Sequence, residues 1–274
     1  MNKVIAIQGA EGSNHHKVAC DFYGDNIKIN ECMSFDDLVE NLINGSSDFG
    51  VMAIENTIAG SIIPNYALLD QYNLQIIGEE YLNIHHHLMA LNNQKIEDIK
   101  EVWSHPMALL QCKEFFKNHP HIKLVEDIDT AEVAKRIAKN NLLGIAAIAP
   151  KIAASIFNLE IIEDDIQTIK DNATRFVIIQ TKGGLLDKKV DKASLKFELN
   201  HKRGSLAAIL NVLSDCKMNL TKIQSLPVIE TPWKYSFFVD VTFDDFKDYE
   251  KAKAIVEIMA EEFKVLGIYK NGRK

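Results

Sequence analysis

Asp171-Asn172-Ala173-Thr174-Arg175-Phe176, followed by Val177-Ile178-Ile179, is the stretch on which the reading of this chain turns. An amide, a hydroxyl and a guanidinium stand close together where an apolar run opens a buried strand. A loop-to-strand junction can aim such groups into a cleft while the strand holds them still. Taken alone, these residues fit a polar turn before a strand better, with Arg175 paired to a surface acid. The rest of the chain decides between the two.

The sequence has 274 residues, enough for two domains. Its 47% hydrophobic and 25% charged content place it with soluble globular proteins. A net charge of −7 and the lack of any basic run exclude a nucleic-acid partner. An anionic substrate must then be held by local positive groups against an unfavourable overall field. No apolar stretch is long enough to span a membrane, so no membrane partner is expected. Met1-Asn2-Lys3 before Val4–Ile7 is too short for a signal peptide and reads as the approach to a first strand. Cys20, Cys32, Cys112 and Cys216 form no Cys-x-x-Cys pair, which argues against zinc and suits the reduced thiols of a cytoplasm.

After the strand Val4–Ile7, the turn Gly9-Ala10-Glu11-Gly12-Ser13 leads into a helix from about His16 to Tyr23. Free N–H groups at such a helix start can bind an anion such as a carboxylate, but no dinucleotide or P-loop fingerprint is present and a plain βα turn fits these residues at least as well. A helix over about Phe35–Asn44 precedes the buried strand Asp48–Ile54, which ends in Glu55-Asn56-Thr57-Ile58-Ala59-Gly60-Ser61. Polar residues at the carboxyl end of an α/β strand sit where such folds bind ligands; Asn56 or Thr57 as a helix cap is the other reading. Leu74–Tyr81 and Ile84–Leu91 read as extended segments leaving one lobe for another. Within them, alternation sets His85 and His87 on one face, with no acid or thiol nearby at metal-ligand spacing. Ser104 reads as the N-cap of a helix reaching about Asn118, with Gln111 two turns on. Strands at Lys123–Glu126 and Gly144–Ala149 alternate with helices at Asp129–Asn140 and Lys151–Phe157, which implies a parallel sheet. Thr181-Lys182-Gly183-Gly184 and the charged run to Lys192 read as a linker. Beyond it come strands at Leu195–Leu199, Leu220–Ser225, Tyr235–Phe243 and Val265–Tyr269, with helices at Ser205–Cys216 and Tyr249–Phe263. The turn Glu230-Thr231-Pro232 separates the middle strands. That βαββαβ order is ferredoxin-like.

With these residues laid out, the chain resembles prephenate dehydratase with a C-terminal ACT regulatory domain, over almost its whole length. Asn172-Ala173-Thr174-Arg175-Phe176 matches the family's Asn-x-Thr-Arg-Phe motif. Gly9–Ser13 with His16, Glu55-Asn56-Thr57 with Gly60-Ser61, and Ser104-His105-Pro106 with Gln111 and Cys112 follow in the family's order and spacing. The resemblance implies an α/β fold: a two-lobed, periplasmic-binding-protein-like (type II) catalytic domain over 1–181, followed by the ACT domain over 193–274. Lobe one would take about 1–75 and 169–181, and lobe two about 76–168. It further implies conversion of prephenate to phenylpyruvate with loss of water and carbon dioxide. No cofactor and no metal is implied, because aromatisation drives the reaction.

Under this resemblance Arg175 grips a substrate carboxylate through two parallel hydrogen bonds. Backbone N–H groups at Gly12-Ser13 and after Glu55-Asn56-Thr57 assist it. Thr174 serves the leaving hydroxyl by orienting and hydrogen-bonding it, since a threonine hydroxyl is too weak an acid to be the proton source. Glu55 is the carboxyl that could supply that proton if burial raises its pKa. Asn56, Thr57, Ser104, Gln111, Phe176 and Ser13 are the expected substrate-binding residues. The neutral hydrogen-bonders among them fix the substrate without favouring its ground-state carboxylate. Gly204, Ser205, Leu206, Gln224 and Ser225 are the expected effector-binding residues, with phenylalanine as the effector. Here Gly204-Ser205-Leu206 stands for the family's Gly-Ala-Leu, and Gln224-Ser225-Leu226-Pro227 for its Glu-Ser-Arg-Pro, which removes a charge pair. His15 stands for a serine and Met107 for a glutamine. A homodimer or homotetramer is expected from the side-by-side pairing of ACT domains. No fused chorismate mutase is expected, since the chain opens at the dehydratase lobe. A solute carrier, an arogenate dehydratase and an inactive amino-acid sensor are the competing readings; the intact motif and the missing export signal speak against the first and third.

Overall fold

The structure is a computed structural model that describes residues 2–181, 189–200, 202–228, 231 and 233–273. Most of the expected linker, from 182 to 188, and most of the expected Glu230-Thr231-Pro232 turn lie outside the described residues. The chain divides into two compact units, 1–60 with 81–176 and 61–80 with 177–274.

The first unit opens with β1 (Val4–Gln8), α1 (Asn14–Tyr23), β2 (Lys28–Cys32), α2 (Phe35–Ile43) and β3 (Phe49–Asn56). β1 lies between β2 and β3, parallel to both, and its Ile5, Ala6 and Ile7 are fully buried. Ser34 begins α2 through a reciprocal capping box with Asp37. The short β4 (Gly60–Ser61) follows a turn, and α3 (Ile63–Gln71) begins without any side-chain cap. Neither Asn56 nor Thr57 caps a helix; both are committed to the turn and to a neighbouring strand. β5 (Gln75–Asn83) then starts in the second unit and ends in the first.

The rest of the first unit is a second sheet, built from β6 (His87–Ala90), β7 (Glu101–Ser104), β8 (Lys123–Glu126), β9 (Ile145–Ala149) and β10 (Glu160–Glu163) in the order β10-β6-β9-β7-β8. β7 is parallel to β8 and β9, whereas β6 is antiparallel to β9 and β10. The sheet is therefore mixed, where alternating strands and helices imply an all-parallel one. α4 (Pro106–Gln111), α5 (Lys113–Phe116), α6 (Thr130–Asn140) and α7 (Lys151–Phe157) accompany it. The single helix expected after Ser104 breaks at Cys112. Its N-cap is His105, whose Nδ1 accepts from Met107 N, because Ser104 is still in β7. Asp129 caps α6 as expected. β11 (Ala173–Gln180) passes from the first unit into the second.

In the second unit, β12 (Lys192–Glu198), α8 (Ser205–Asp215), β13 (Asn219–Pro227), β14 (Tyr235–Thr242), α9 (Phe246–Met259) and β15 (Glu262–Tyr269) realise the βαββαβ order. The strands lie in the ferredoxin-like order β13-β14-β12-β15, all antiparallel. Phe197, Ile209, Leu213, Val241, Tyr249 and Val256 form part of its core. Lys192, expected at the end of the linker, is a strand residue only 2% exposed, and both oxygens of the buried Glu79 carboxylate lie 2.8 Å from its Nζ. Asp70 pairs with Lys196 and Lys264 in the same unit. These contacts draw the segment 61–80 into the C-terminal fold.

Removing one partner of a buried pair strands the other charge, at about 3–5 kcal/mol. Glu79→Ala is therefore expected to lower the unfolding free energy of the full chain by an amount of that order in urea titration, with Glu79→Gln losing less. A loss below about 1 kcal/mol would mean that Lys192 is not held by this carboxylate.

Candidate active site

The N-terminal end of β11 is pinned by Thr57, whose N–H donates to Ala173 O while its Oγ1 accepts from Ala173 N, both at 2.9 Å. This clamp sets Thr174 beside Asn56, the last residue of the neighbouring β3. Asn56 Nδ2 donates to Thr174 Oγ1 at 2.9 Å and to Asn172 Oδ1 at 2.6 Å. Asn56 Oδ1 accepts from the N–H groups of Ile58 and Ala59, each at 2.9 Å. Asn172 Nδ2 donates to Gln111 Oε1 at 3.1 Å, and His86 Nε2 lies 2.8 Å from that same oxygen. Asn172 is 1% and Thr174 7% exposed, so these bonds are shielded from water. Leaving one buried partner unmatched would cost about 1–3 kcal/mol.

The direction of these bonds fixes what Thr174 can do. A lone pair on its oxygen takes the Asn56 amide hydrogen, which leaves the hydroxyl hydrogen to be offered elsewhere. Being a hydrogen-bond acceptor also polarises the O–H as a donor. Gln111, half-buried, has its oxygen filled by two contacts and its Nε2 without a partner among the described residues. Two donor groups are thus left open in a neutral polar chain.

The crossing segments hold the chain in place. Ile84 N donates to Asn172 O at 2.7 Å, Ile166 N to His86 O at 2.8 Å, and His86 N to Gln167 Oε1 at 2.9 Å. His85 and His87 turn away from Gln111 and pair with Asp165 and Asp164 at 2.7 and 3.0 Å. The acids that the sequence lacks nearby are thus supplied from a distance along the chain. A cleft of about 540 Å³, lined among others by His85, His87, Lys17 and Lys151, lies on that side. No group of three or more His, Cys, Asp or Glu among the described residues could hold a metal ion.

Several expected contacts are rearranged. The N–H groups of Glu11, Gly12 and Ser13 are already taken, by Glu31 Oε1, His16 Nδ1 and Ala10 O. Ser13 is 3% exposed and its hydroxyl caps α1 by accepting from His16 N. The N–H groups at Thr57, Ile58 and Ala59 are equally occupied, so neither loop offers the free backbone donors expected for a carboxylate. Ser104 is fully buried and its hydroxyl donates to Ile148 O at 2.8 Å. Phe176 is 1% exposed and packs edge-on against His15, with ring centroids 5.0 Å apart. Strand alternation sends Arg175 to the face of β11 opposite Thr174, and Glu55 to the face of β3 opposite Asn56. Arg175 is 4% exposed, not a surface residue, and Glu55 is half-buried.

In the second unit, Ser205 and Leu206 line a cavity of about 120 Å³ with Lys202, Trp233 and Tyr235 among others. Gly204 precedes α8 with φ +80°, where glycine is favoured. Gln224 and Ser225 lie on β13 opposite Phe238 and Phe237, and Gln224 Nε2 donates to Ser225 O. They are not among the residues lining that cavity.

Sequence reasoning missed Asn172 and His86 as site residues. Asn172 was visible in the motif, and alternation through His85-His86-His87 already set His86 apart from its neighbours.

The family model for prephenate dehydratase matches residues 5–184. The chain belongs to the prephenate dehydratase family. It is 32% identical over 237 residues to a bifunctional chorismate mutase/prephenate dehydratase of Buchnera aphidicola subsp. Schizaphis graminum, covering 85% of this chain and 62% of that protein. It is 35% identical over 276 residues to arogenate dehydratase/prephenate dehydratase 2, chloroplastic, of Arabidopsis thaliana, covering 97% of this chain and 72% of that protein. Among solved structures, the prephenate dehydratase of Arthrobacter aurescens in complex with L-Phe superposes with a TM-score of 0.87 at 23% identity, over 98% of this chain and 90% of that one. The fold of this family member is thus that of the solved prephenate dehydratases. No helix among the described residues is long and apolar enough to cross a membrane.

His15 gives the site a measurable pH signature. Its ring sits against Phe35 and Phe176, its Nε2 is buried without a partner among the described residues, and burial pushes its pKa down to about 4. Between that value and the ordinary one near 6.5 the unfolded chain binds the extra proton, so stability rises with pH across this window and is lost as pH falls. The fall in melting temperature from pH 7 to pH 4.5 is expected to be smaller in His15→Phe than in the wild type; parallel curves would show that His15 is not held neutral.

Proposed function

We propose that this chain converts prephenate to phenylpyruvate. The observation that carries the reading is the hydrogen-bond chain that ends with Asn56 Nδ2 on Thr174 Oγ1 and leaves the hydroxyl hydrogen free. The C–C bond to the ring carboxylate breaks, its electron pair moves into the ring, and the pair of the opposite C–O bond leaves with the hydroxyl oxygen. Thr174 donates a hydrogen bond to that oxygen as negative charge develops on it. Gln111 Nε2 supplies a second donor for a substrate oxygen, and Asn56 and Asn172 align both. None of these groups carries a charge, so nothing in this shell stabilises the carboxylate that must be lost as carbon dioxide. Arg175 and Glu55 remain the candidates for holding the side-chain carboxylate and for the departing proton, and each must reach round the end of its strand to meet a substrate held on the Thr174 face. With the backbone N–H groups of both loops occupied, Arg175 carries more of the anion binding than the sequence alone implies. Ser13, Ser104, Thr57 and Phe176 shape the site through the contacts described rather than by touching the ring.

In sequence terms the catalytic domain runs over 1–181 and an ACT domain over 193–274. The bound L-Phe named for the Arthrobacter relative supports phenylalanine as the effector of that domain. The cavity of about 120 Å³ beside Ser205 and Leu206 is the candidate place for it among the described residues. A homodimer or homotetramer in the cytoplasm fits this reading.

Thr174→Ala is expected to lower prephenate turnover by roughly 10²- to 10⁴-fold, and Arg175→Lys to lower kcat/KM, since one point charge cannot replace a two-pronged grip. Near-normal turnover in the first variant would remove Thr174 from the mechanism; an unchanged kcat/KM in the second would remove the carboxylate grip. Assays with prephenate and arogenate side by side fix the substrate, as the Arabidopsis relative is named for both. Millimolar phenylalanine is expected to inhibit, and a flat titration would leave the C-terminal unit with an assembly role only.

A further inference from the structure

His86 stands at the far end of the polar chain, and its role follows from direction alone. Two backbone N–H groups fix Asn56 Oδ1 as the accepting end of that amide, so Nδ2 must be the end that meets Asn172. Asn172 therefore presents its oxygen to Asn56 and its Nδ2 to Gln111. Gln111 in turn presents an oxygen, not an amino group, to the imidazole of His86. An acceptor facing a ring nitrogen requires a proton on that nitrogen.

We propose that His86 is a positioning residue of the dehydratase. Held as the Nε2–H tautomer, it acts with Asn172 as one of two donors that lock the Gln111 carboxamide, so that Gln111 Nε2 is aimed at a carboxylate or hydroxyl oxygen of the substrate. The proposal rests on the reading of Gln111 as substrate-binding. With both donors present, a flipped Gln111 would set its amino group against two other donors; with Asn172 alone, only one opposes the flip. Nδ1 of His86 is buried without a partner among the described residues, and burial pushes the imidazole pKa down, both of which agree with a neutral ring. The backbone contacts with Gln167 and Ile166 hold the ring where it is needed. Its neighbours cannot take over, because they face Asp165 and Asp164.

Two measurements on the full chain test this. Nitrogen-15 NMR of histidine-labelled protein, with the His86 signals assigned by their loss in His86→Leu, is expected to show a protonated Nε2 and a bare Nδ1. The opposite tautomer overturns the proposal, whatever the protein turns over. In kinetics, His86→Leu is expected to lower kcat/KM for prephenate about tenfold, the worth of one such hydrogen bond, and His86→Gln to recover part of the loss. In a Gln111→Ala background the same His86→Leu change is expected to cost little more, because the two residues act as one unit. An equal loss in both backgrounds would show that His86 serves only the fold. Absence of prephenate turnover in the wild type would remove the functional reading while leaving the tautomer measurement intact.

Discussion

The site depends on one constraint: the carboxamide of Asn56 can face only one way. Two peptide N–H groups of the Ile58-Ala59 turn hold its oxygen, and everything beyond inherits that polarity. Asn172, Gln111, His86 and Thr174 each find their donating or accepting role settled by the partner before them. Because Asn172 and Thr174 are almost wholly buried, a mismatch at either of them could not be repaired by water. A short turn thereby sets the direction of a hydroxyl hydrogen over a hundred residues further along the sequence.

The same geometry parts the neutral donors from the charged side chains. Thr174 and Asn56 share one face of their strands, while alternation carries Arg175 and Glu55 to the other. The overall charge of −7 makes a local cation necessary for any anionic substrate, and the occupied N–H groups at Gly12, Ser13 and Thr57 leave that demand on side chains.

What the sequence could reveal was local. The Asn-x-Thr-Arg-Phe run and the Asp129 cap arise from neighbours a few residues apart, and the βαββαβ order of the C-terminal unit follows from the periodicity of successive segments. Ser104 was misread because a serine before a proline looks like a cap, whereas the strand runs on to it and His105 takes the cap instead. α3 went unseen since Ile62 precedes it without a capping side chain, leaving Pro64 as the sole signal. The attachment of 61–80 to the C-terminal unit, through Glu79–Lys192 and Asp70–Lys196, joins residues more than a hundred positions apart and has no local trace. Asn172 and His86 belong to the same class: their residue types were in view, but their partners were not.

Neutron diffraction from a crystal of the full chain, which locates deuterium directly, tests the central claim best. The account predicts deuterium on Asn56 Nδ2 pointing at Thr174 Oγ1, with the Thr174 hydroxyl deuterium directed away from Asn56. A Thr174 hydroxyl that instead donates to Asn56, with the Asn56 amide turned the other way round, would contradict it.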